Sequence, residues 1–214
     1  MTTNDKIDLF KQLKKAEYAQ PKKPVLIDVA RGIYLTIDGV GPPGGDEFAA
    51  KVGALYAMAY TIKMTRKFDG RQDYVIGKLE GQWWSDRGPD LKNIPQEEWR
   101  WKLMIRTPDI VGEGEVQEAA KALLRKGKAP EVEQVRLEAI AEGPCVQMLH
   151  VGPYEREWET LSQMLAFAGE QGCEPHGRHH EIYLSDPRRV PPQRLKTILR
   201  MPVKEIAEKN PAGP

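Results

Sequence analysis

The segment His179-His180-Glu181-Ile182-Tyr183-Leu184 brings two imidazoles, a carboxylate and a phenol together in one short run. Read as a strand, it points alternate side chains to opposite faces, so Glu181 and Tyr183 share one face and Ile182 and Leu184 the other. The aliphatic pair is expected to pack against helices, which turns Glu181 toward a cleft on the opposite sheet face. A half-buried carboxylate beside aromatic rings has a raised pKa and can attract a cation or act as a base. The plainer alternative is a solvent-facing glutamate on an exposed sheet. In the first half of the chain, Glu80-Gly81-Gln82-Trp83-Trp84 is the corresponding run. Gly81 leaves room for a close approach to the backbone. Adjacent tryptophans on a strand point opposite ways, so one of Trp83 and Trp84 packs inside while the other lines a cleft, and the sequence leaves open which. Tyr74, Trp83, Trp84, Trp99 and Trp101 crowd onto strands expected to be neighbours. Such rings can stack on a flat or cationic ligand. The candidate ligand contacts are therefore Glu80, Trp83 and Trp101, with Tyr183 beside Glu181. Tyr56, four before Tyr60 on a helix, is either edge packing or a further cleft residue. His150 and Tyr154 flank a turn that opens a helix, a place that suits anionic oxygens; a capped, hydrogen-bonded turn is the alternative. His180 joins the candidate set by its neighbourhood.

Other chemistry finds no support. The chain has no G-x-S-x-G, phosphate loop or H-E-x-x-H pattern. Gly41-Pro42-Pro43-Gly44-Gly45 is too proline-rich to cradle phosphate. His179 and His180 diverge on a strand, so no metal site is expected among them and His176, and no cofactor is expected. Net charge is +1, from 32 basic and 31 acidic residues, which gives no field for nucleic acid or an anionic membrane. No apolar run approaches the roughly 20 residues that span a bilayer. The first residues lack a hydrophobic core with a cleavage site, so secretion is not expected. Cys145 and Cys173 belong to no C-x-x-C pair and read as reduced thiols in a cytoplasmic protein. The expected partner is a small molecule; oligomeric state is open.

The elements that must position these residues occur twice. Val40-Gly41-Pro42 recurs as Val151-Gly152-Pro153, Ser85-Asp86 as Ser185-Asp186, and Lys102, Arg106 and Pro108 as Lys196, Arg200 and Pro202. Three anchors in one order predict duplication of a strand–helix–strand–strand unit, with a ligand cleft at the junction. The periodicity predicts a short N-terminal helix over 5–18 and hairpin-linked strands at 25–29 and 33–38. A helix over 46–64 follows, then strands at 74–84 and 99–106. A connecting helix over 115–126 leads to strands at 135–141 and 146–150, a helix over 155–171 with Trp158, Leu161, Leu165 and Ala168 inward, and strands at 180–185 and 195–201. The fold class is α+β with largely antiparallel sheets and helices on one face. The organisation is an arm over 1–24, a domain over 25–203 (first repeat about 25–108, connector 109–134, second repeat about 135–203) and a frayed tail over 204–214.

These stretches carry a resemblance. LTIDGVGPPG (35–44), YVIGKLEGQWWSD (74–86), RWKLMIRTPD (100–109), HVGPYEREWETL (150–161) and HHEIYLSDPRRVPPQRLKTILRMPV (179–203) resemble the GyrI-like small-molecule-binding family. The resemblance implies a tandem pair of strand–helix–strand–strand units with Glu181 in the cleft between them. The same fold serves as the drug-sensing half of multidrug transcription regulators; this chain resembles the stand-alone branch. Leu79-Glu80-Gly81 followed by Trp83-Trp84 is similar to the cyclopropanoid cyclopropyl hydrolases, which open the strained ring of spirocyclopropane DNA-alkylating compounds in an aromatic cage. That implies a carboxylate, Glu181, orienting water, and a tyrosine hydroxyl, Tyr183, donating to the carbonyl that becomes a phenol. Gly81 stands 100 positions before Glu181, with Glu80 one place away, and a strand bulge would be needed to bring Glu80 to the cleft. Three functions follow: a binder of flat aromatic or cationic xenobiotics, a cyclopropyl hydrolase, and a protein-interaction inhibitor.

Overall fold

The computed structural model describes residues 6–88, 91–127 and 130–206. In chain order the elements are α1 (Leu9–Gln12), β1 (Val25–Val29), β2 (Gly32–Val40), α2 (Asp46–Phe68), β3 (Leu79–Trp84), β4 (Arg100–Thr107), α3 (Glu113–Arg125), β5 (Arg136–Ile140), β6 (Gly143–Val151), α4 (Glu157–Glu170), β7 (Cys173–Pro175), β8 (His179–Tyr183) and β9 (Lys196–Glu205). The class is α+β, and every named strand pairing is antiparallel. The expected helix over 5–18 shrinks to the single turn α1, because Phe10, Leu13 and Tyr18 turn down onto the sheet instead. The strand expected from Tyr74 begins only at Leu79. Gly77 presses against the Arg106 backbone, where a Cβ would lie 2.8 Å from the carbonyl oxygen. β9 continues through Glu205, past the expected start of the tail, and 207–214 lie outside the described residues. Among the described residues no helix is long and apolar enough to cross a membrane.

The strands run in the order β1-β6-β9-β8-β3-β4-β2-β5, with β7 on β9. The two repeats, β2-α2-β3-β4 and β6-α4-β8-β9, therefore meet at the β3–β8 pair. The expected hairpins at the start of each repeat do not form: β1 pairs with β6 of the second repeat, and β5 pairs with β2 of the first. Two residues, Ala30 and Arg31, link β1 to β2, which stand six strands apart in this order. A flat sheet would separate them by about 29 Å at about 4.8 Å per strand, whereas three Cα steps reach at most about 11 Å. The sheet must curl almost into a barrel, and each repeat contributes one strand to its partner's edge.

Two of the three sequence anchors are equivalent in the structure. Gly41 N–H donates to the Trp99 carbonyl at 2.8 Å, and Gly152 N–H donates to the Leu195 carbonyl at 3.0 Å. Ser85 and Ser185 each follow the central strand of their repeat. The third anchor slips. Lys102 is flanked by Asp38 and Gln82, and their counterparts Leu149 and Ile182 flank Ile198, not Lys196.

Both long helices pack on the outer face of the curl. Leu55, Met58, Ala59 and Ile62 of α2 lie on Leu35, Ile37, Leu103 and Ile105. Met164 and Ala168 of α4 lie on Val146, Met148, Leu199 and Met201. The α4 stripe is rotated from the expected one: Glu157, Thr160, Met164 and Ala168 are buried, while Trp158 and Leu165 are exposed. The helices share no extensive contact with each other, which leaves a seam above β3 and β8.

Candidate functional site

The floor of that seam is the β3–β8 pair, in which Gly81 faces Glu181 and Trp83 faces His179. Alternation puts Trp83, His179, Glu181 and Tyr183 on one face, as the sequence implies. That face is the helix-bearing one, which corrects the expectation of a cleft on the opposite side. Ile182 points inward instead and packs with Tyr18 and Ile198 under the N-terminal arm.

The side chains in the seam are closely knit. Trp83 Nε1 donates to the Tyr183 hydroxyl at 3.1 Å. This contact passes directly over Gly81, where a Cβ would lie 3.0 Å from both atoms, so glycine is what lets the two repeats touch here. Tyr154, at the entry to α4, meets Tyr183 edge-on with ring centroids 6.1 Å apart. Phe48 stacks on Trp83 at 6.0 Å, and Trp99 meets it edge-on. Glu157, in the first turn of α4, reaches down toward Glu181. One oxygen of Glu157, one of Glu181 and a ring nitrogen of His179 all lie within 4.8 Å of one another, and His179 Nε2 is 3.3 Å from Glu181 Oε1. Burial first, then the charge of Glu181, pushes the Glu157 carboxyl well above its usual range. The same two causes raise Tyr183 far above a free phenol, so it keeps its proton. Burial, then Glu157 and Glu181, lifts Tyr154 to about 12.

Several expected residues lie elsewhere. Glu80 and His180 are fully buried inside the curl, on the face opposite Glu181. The ladder between β3 and its neighbours runs without a bulge, so Glu80 cannot turn to the seam. It accepts hydrogen bonds from Tyr18 Oη at 2.8 Å and His180 Nε2 at 3.0 Å. His180 Nδ1 lies 2.9 Å from Glu142, which also pairs with Arg200 at 3.1 Å. Burial works against both charges. Glu142 and Glu80 nonetheless lift His180 to about 9, and His180 with Arg200 holds Glu142 at about 2. Glu17, from the arm, pairs with Arg106 in the same interior. Trp101 lies on the outer face but has no exposed surface; it is core, with Nε1 donating to the Gly41 carbonyl at 3.1 Å. His150 is a turn residue, bonded to Thr160 Oγ1 at 2.9 Å and lying 3.2 Å from the Pro153 carbonyl. Tyr56 sits half-buried against Tyr60 and near Asp186 of the second repeat. Trp84 faces away from the seam, its ring capped by Arg178 at 3.5 Å, so Trp83 is the member of the pair on the seam side.

The sequence reading missed Glu157, His179 and Thr197. A glutamate on the inner stripe of α4 is the signal it passed over. Two surface grooves lie elsewhere: one of about 550 Å³ between α2 and α3, lined by Thr61, Thr65 and Glu118, and one of about 430 Å³ along Lys102, Glu138 and Arg178. Neither gathers a carboxylate pair with aromatic rings. The seam itself is nearly closed, with Trp83 only 3% exposed.

Comparison with known proteins agrees with this architecture. Residues 34–204 match the family described as the GyrI-like small molecule binding domain. An uncharacterized conserved protein from Listeria innocua is 43% identical, with a TM-score of 0.85 over 93% of this chain and 100% of that one. Two structures described as hydrolases from Listeria innocua are each 40% identical, with TM-scores of 0.83 and 0.85, covering 93% and 94% of this chain and 100% of theirs. The C-terminal domain of EcmrR, 11% identical with a TM-score of 0.54, covers 86% of this chain and 98% of its own and shares the fold alone. No curated protein matches. With its two repeats meeting at β3 and β8, this chain belongs to the GyrI-like small-molecule-binding family.

Proposed function

We propose that this protein takes flat aromatic small molecules into the seam between α2 and α4 and adds water to them, with Glu181 as the base. The observation that carries this reading is the meeting of Glu181, Glu157 and the Tyr183 hydroxyl beneath Trp83 and Tyr154. Ring pairs of this kind contribute about 0.5–1.5 kcal/mol each beyond area burial, enough to hold a planar ligand. The resemblance to cyclopropanoid hydrolases suggests a substrate whose cyclopropane is conjugated to a carbonyl. Water oxygen attacks the cyclopropane methylene, the carbon–carbon bond breaks, and its electron pair moves into the ring to leave a phenolate. Glu181 takes the proton from water and gives it up through solvent to the phenolate, which leaves the phenol and restores the carboxylate. Tyr183, which keeps its proton, supplies a hydrogen bond to the carbonyl oxygen. Relief of ring strain drives the step, so positioning of water suffices. The hydrolase descriptions of relatives at 40% identity point the same way.

The test is incubation with cyclopropane-bearing and flat cationic compounds, following tryptophan fluorescence and product mass together. Wild type is expected to quench and to yield a product one water heavier, whereas Glu181→Gln quenches without product. Undiminished turnover by Glu181→Gln would sink the reading. A second reading, sequestration without chemistry, draws on the closed seam: a ligand enclosed by buried rings is released slowly. Quenching by wild type with no product from any compound would favour it.

A further inference from the structure

The seam contains buried polar atoms that the protein pairs poorly. Among the described residues, Glu157 Oε1, Thr197 Oγ1 and both ring nitrogens of His179 are buried without a well-aligned hydrogen bond; the contacts they do make, Thr197 with the Glu157 carboxyl and His179 Nε2 at 3.3 Å from Glu181 Oε1, stay inside the cluster. The two other such atoms, Tyr74 Oη and Thr107 Oγ1, neighbour each other elsewhere in the fold. Native interiors leave few polar groups unpartnered, and each one calls for an explanation. Here four converge, with two carboxylates and no lysine or arginine paired to either among the described residues.

Two occupants relieve a buried carboxylate pair: a shared proton or a cation. A proton between Glu157 and Glu181 leaves His179 as it was. We propose that Glu157, His179 and Glu181 bind a divalent first-row transition metal ion in the seam between α2 and α4. Two carboxylates and one imidazole are a donor set that suits zinc, manganese or ferrous iron and leaves further positions open. Ligand atoms about 2.0–2.2 Å from such an ion lie about 3–4 Å from each other. His179 Nε2 and Glu181 Oε1 already stand at 3.3 Å, and the whole set spans no more than 4.8 Å, so small rotamer adjustments close it. Glu157 comes from α4, whereas His179 and Glu181 come from β8, so the ion ties the helix entry to the floor of the seam. The ion shares the location of the proposed reaction but does not depend on it, since binding is measured with no substrate present.

The experiment is calorimetric titration of zinc chloride into full-length protein that has been treated with EDTA and dialysed into metal-free buffer, with thermal unfolding in parallel. One ion per chain is expected, with a rise in Tm. His179→Gln and Glu157→Gln should each weaken binding by about tenfold or more and abolish the rise. His176→Gln, on the exposed loop nearby, should leave both unchanged. Absence of binding, binding that survives His179→Gln and Glu157→Gln, or equal weakening by His176→Gln overturns the proposal. The ion and the reaction are separable. If metal-free protein that binds no zinc still yields product, the ion falls and the reaction stands. If zinc binds as described and no compound is bound or changed, the reaction falls and the ion stands.

Discussion

The two faces of the β3–β8 pair are built from alternate residues of the same strands, yet they treat polarity in opposite ways. Inside the curl, Glu80, His180, Glu142 and Arg200 form a chain of ion pairs in which each charge has a partner. Tyr18 and the Glu17 backbone, from the arm, complete it. Outside, one residue along, His179, Glu181 and Glu157 sit close together with atoms left unpaired. A satisfied buried network locks the junction between repeats. An unsatisfied one is a cost that stability alone does not justify, and such costs concentrate where function needs them. The contrast teaches that neither histidine nor glutamate content identifies the site in His179-His180-Glu181; whether their partners are complete does.

The sharpest way to break this contrast is to remove carboxylates from each face in turn. In metal-free protein, Glu181→Gln should lower turnover by about 10²–10⁴ while the unfolding temperature holds, as measured by product formation and calorimetry on one preparation. A large stability loss instead would make Glu181 structural like Glu80. On the inner face, Glu142→Gln leaves two buried cations, His180 and Arg200, with only the Glu80 carboxylate between them and should cost about 3–5 kcal/mol of stability, read by urea unfolding, with ligand affinity intact in the folded protein. The same pair sets a pH dependence. Glu142 falls from 4.5 in the unfolded chain to about 2 in the fold. Its contribution is therefore fully present above about pH 4.5 and lost as pH falls through 2, and the Glu142→Gln variant should lack this acid-limb dependence. On the outer face the sign reverses. In metal-free protein at neutral pH, Glu157→Gln removes a carboxylate whose charge the fold disfavours, and should raise stability by about 1 kcal/mol; an equal loss on both faces would erase the distinction. The smallest effect is expected of Gly81→Ala. Its Cβ would stand 3.0 Å from Trp83 Nε1 and Tyr183 Oη, so the hydrogen bond between repeats must open. A stability cost of about 1 kcal/mol and weaker quenching by flat ligands would follow, and an unaltered variant would show that the rings need no fixed spacing.

Much of this arrangement was legible in the sequence. The alternation of Glu181 and Tyr183, the Val-Gly-Pro turns and the apolar stripe of α2 all follow from local periodicity. The side of the sheet on which Glu181 lies did not. Ile182 was expected under the helices, but Phe10, Leu13 and Tyr18 of the arm supply a second apolar cover, and a strand covered on both faces has no clear inside. The partner of β1 was also out of reach, because β1 and β2 are adjacent in the chain and only long-range pairing carries them apart. Glu157 escaped because a polar residue on a buried stripe reads as a break in the pattern rather than as its purpose. The repeated Lys102 and Lys196 misled in the other direction: spacing alone cannot detect a two-residue slip that the sheet register exposes.

The strand exchange also has a consequence for how the chain is made. Residues 25–29 leave the ribosome long before their partner at 143–151. At about 5–20 residues per second, β1 waits roughly 6–23 s for β6 to be synthesised. During that time the first repeat has neither its borrowed strand β5 nor a use for its own, and its edge is open to pairing with other nascent chains. Each half is thus a poor candidate for independent expression, and two chains that trade β1 before either is finished would emerge as an interlocked dimer.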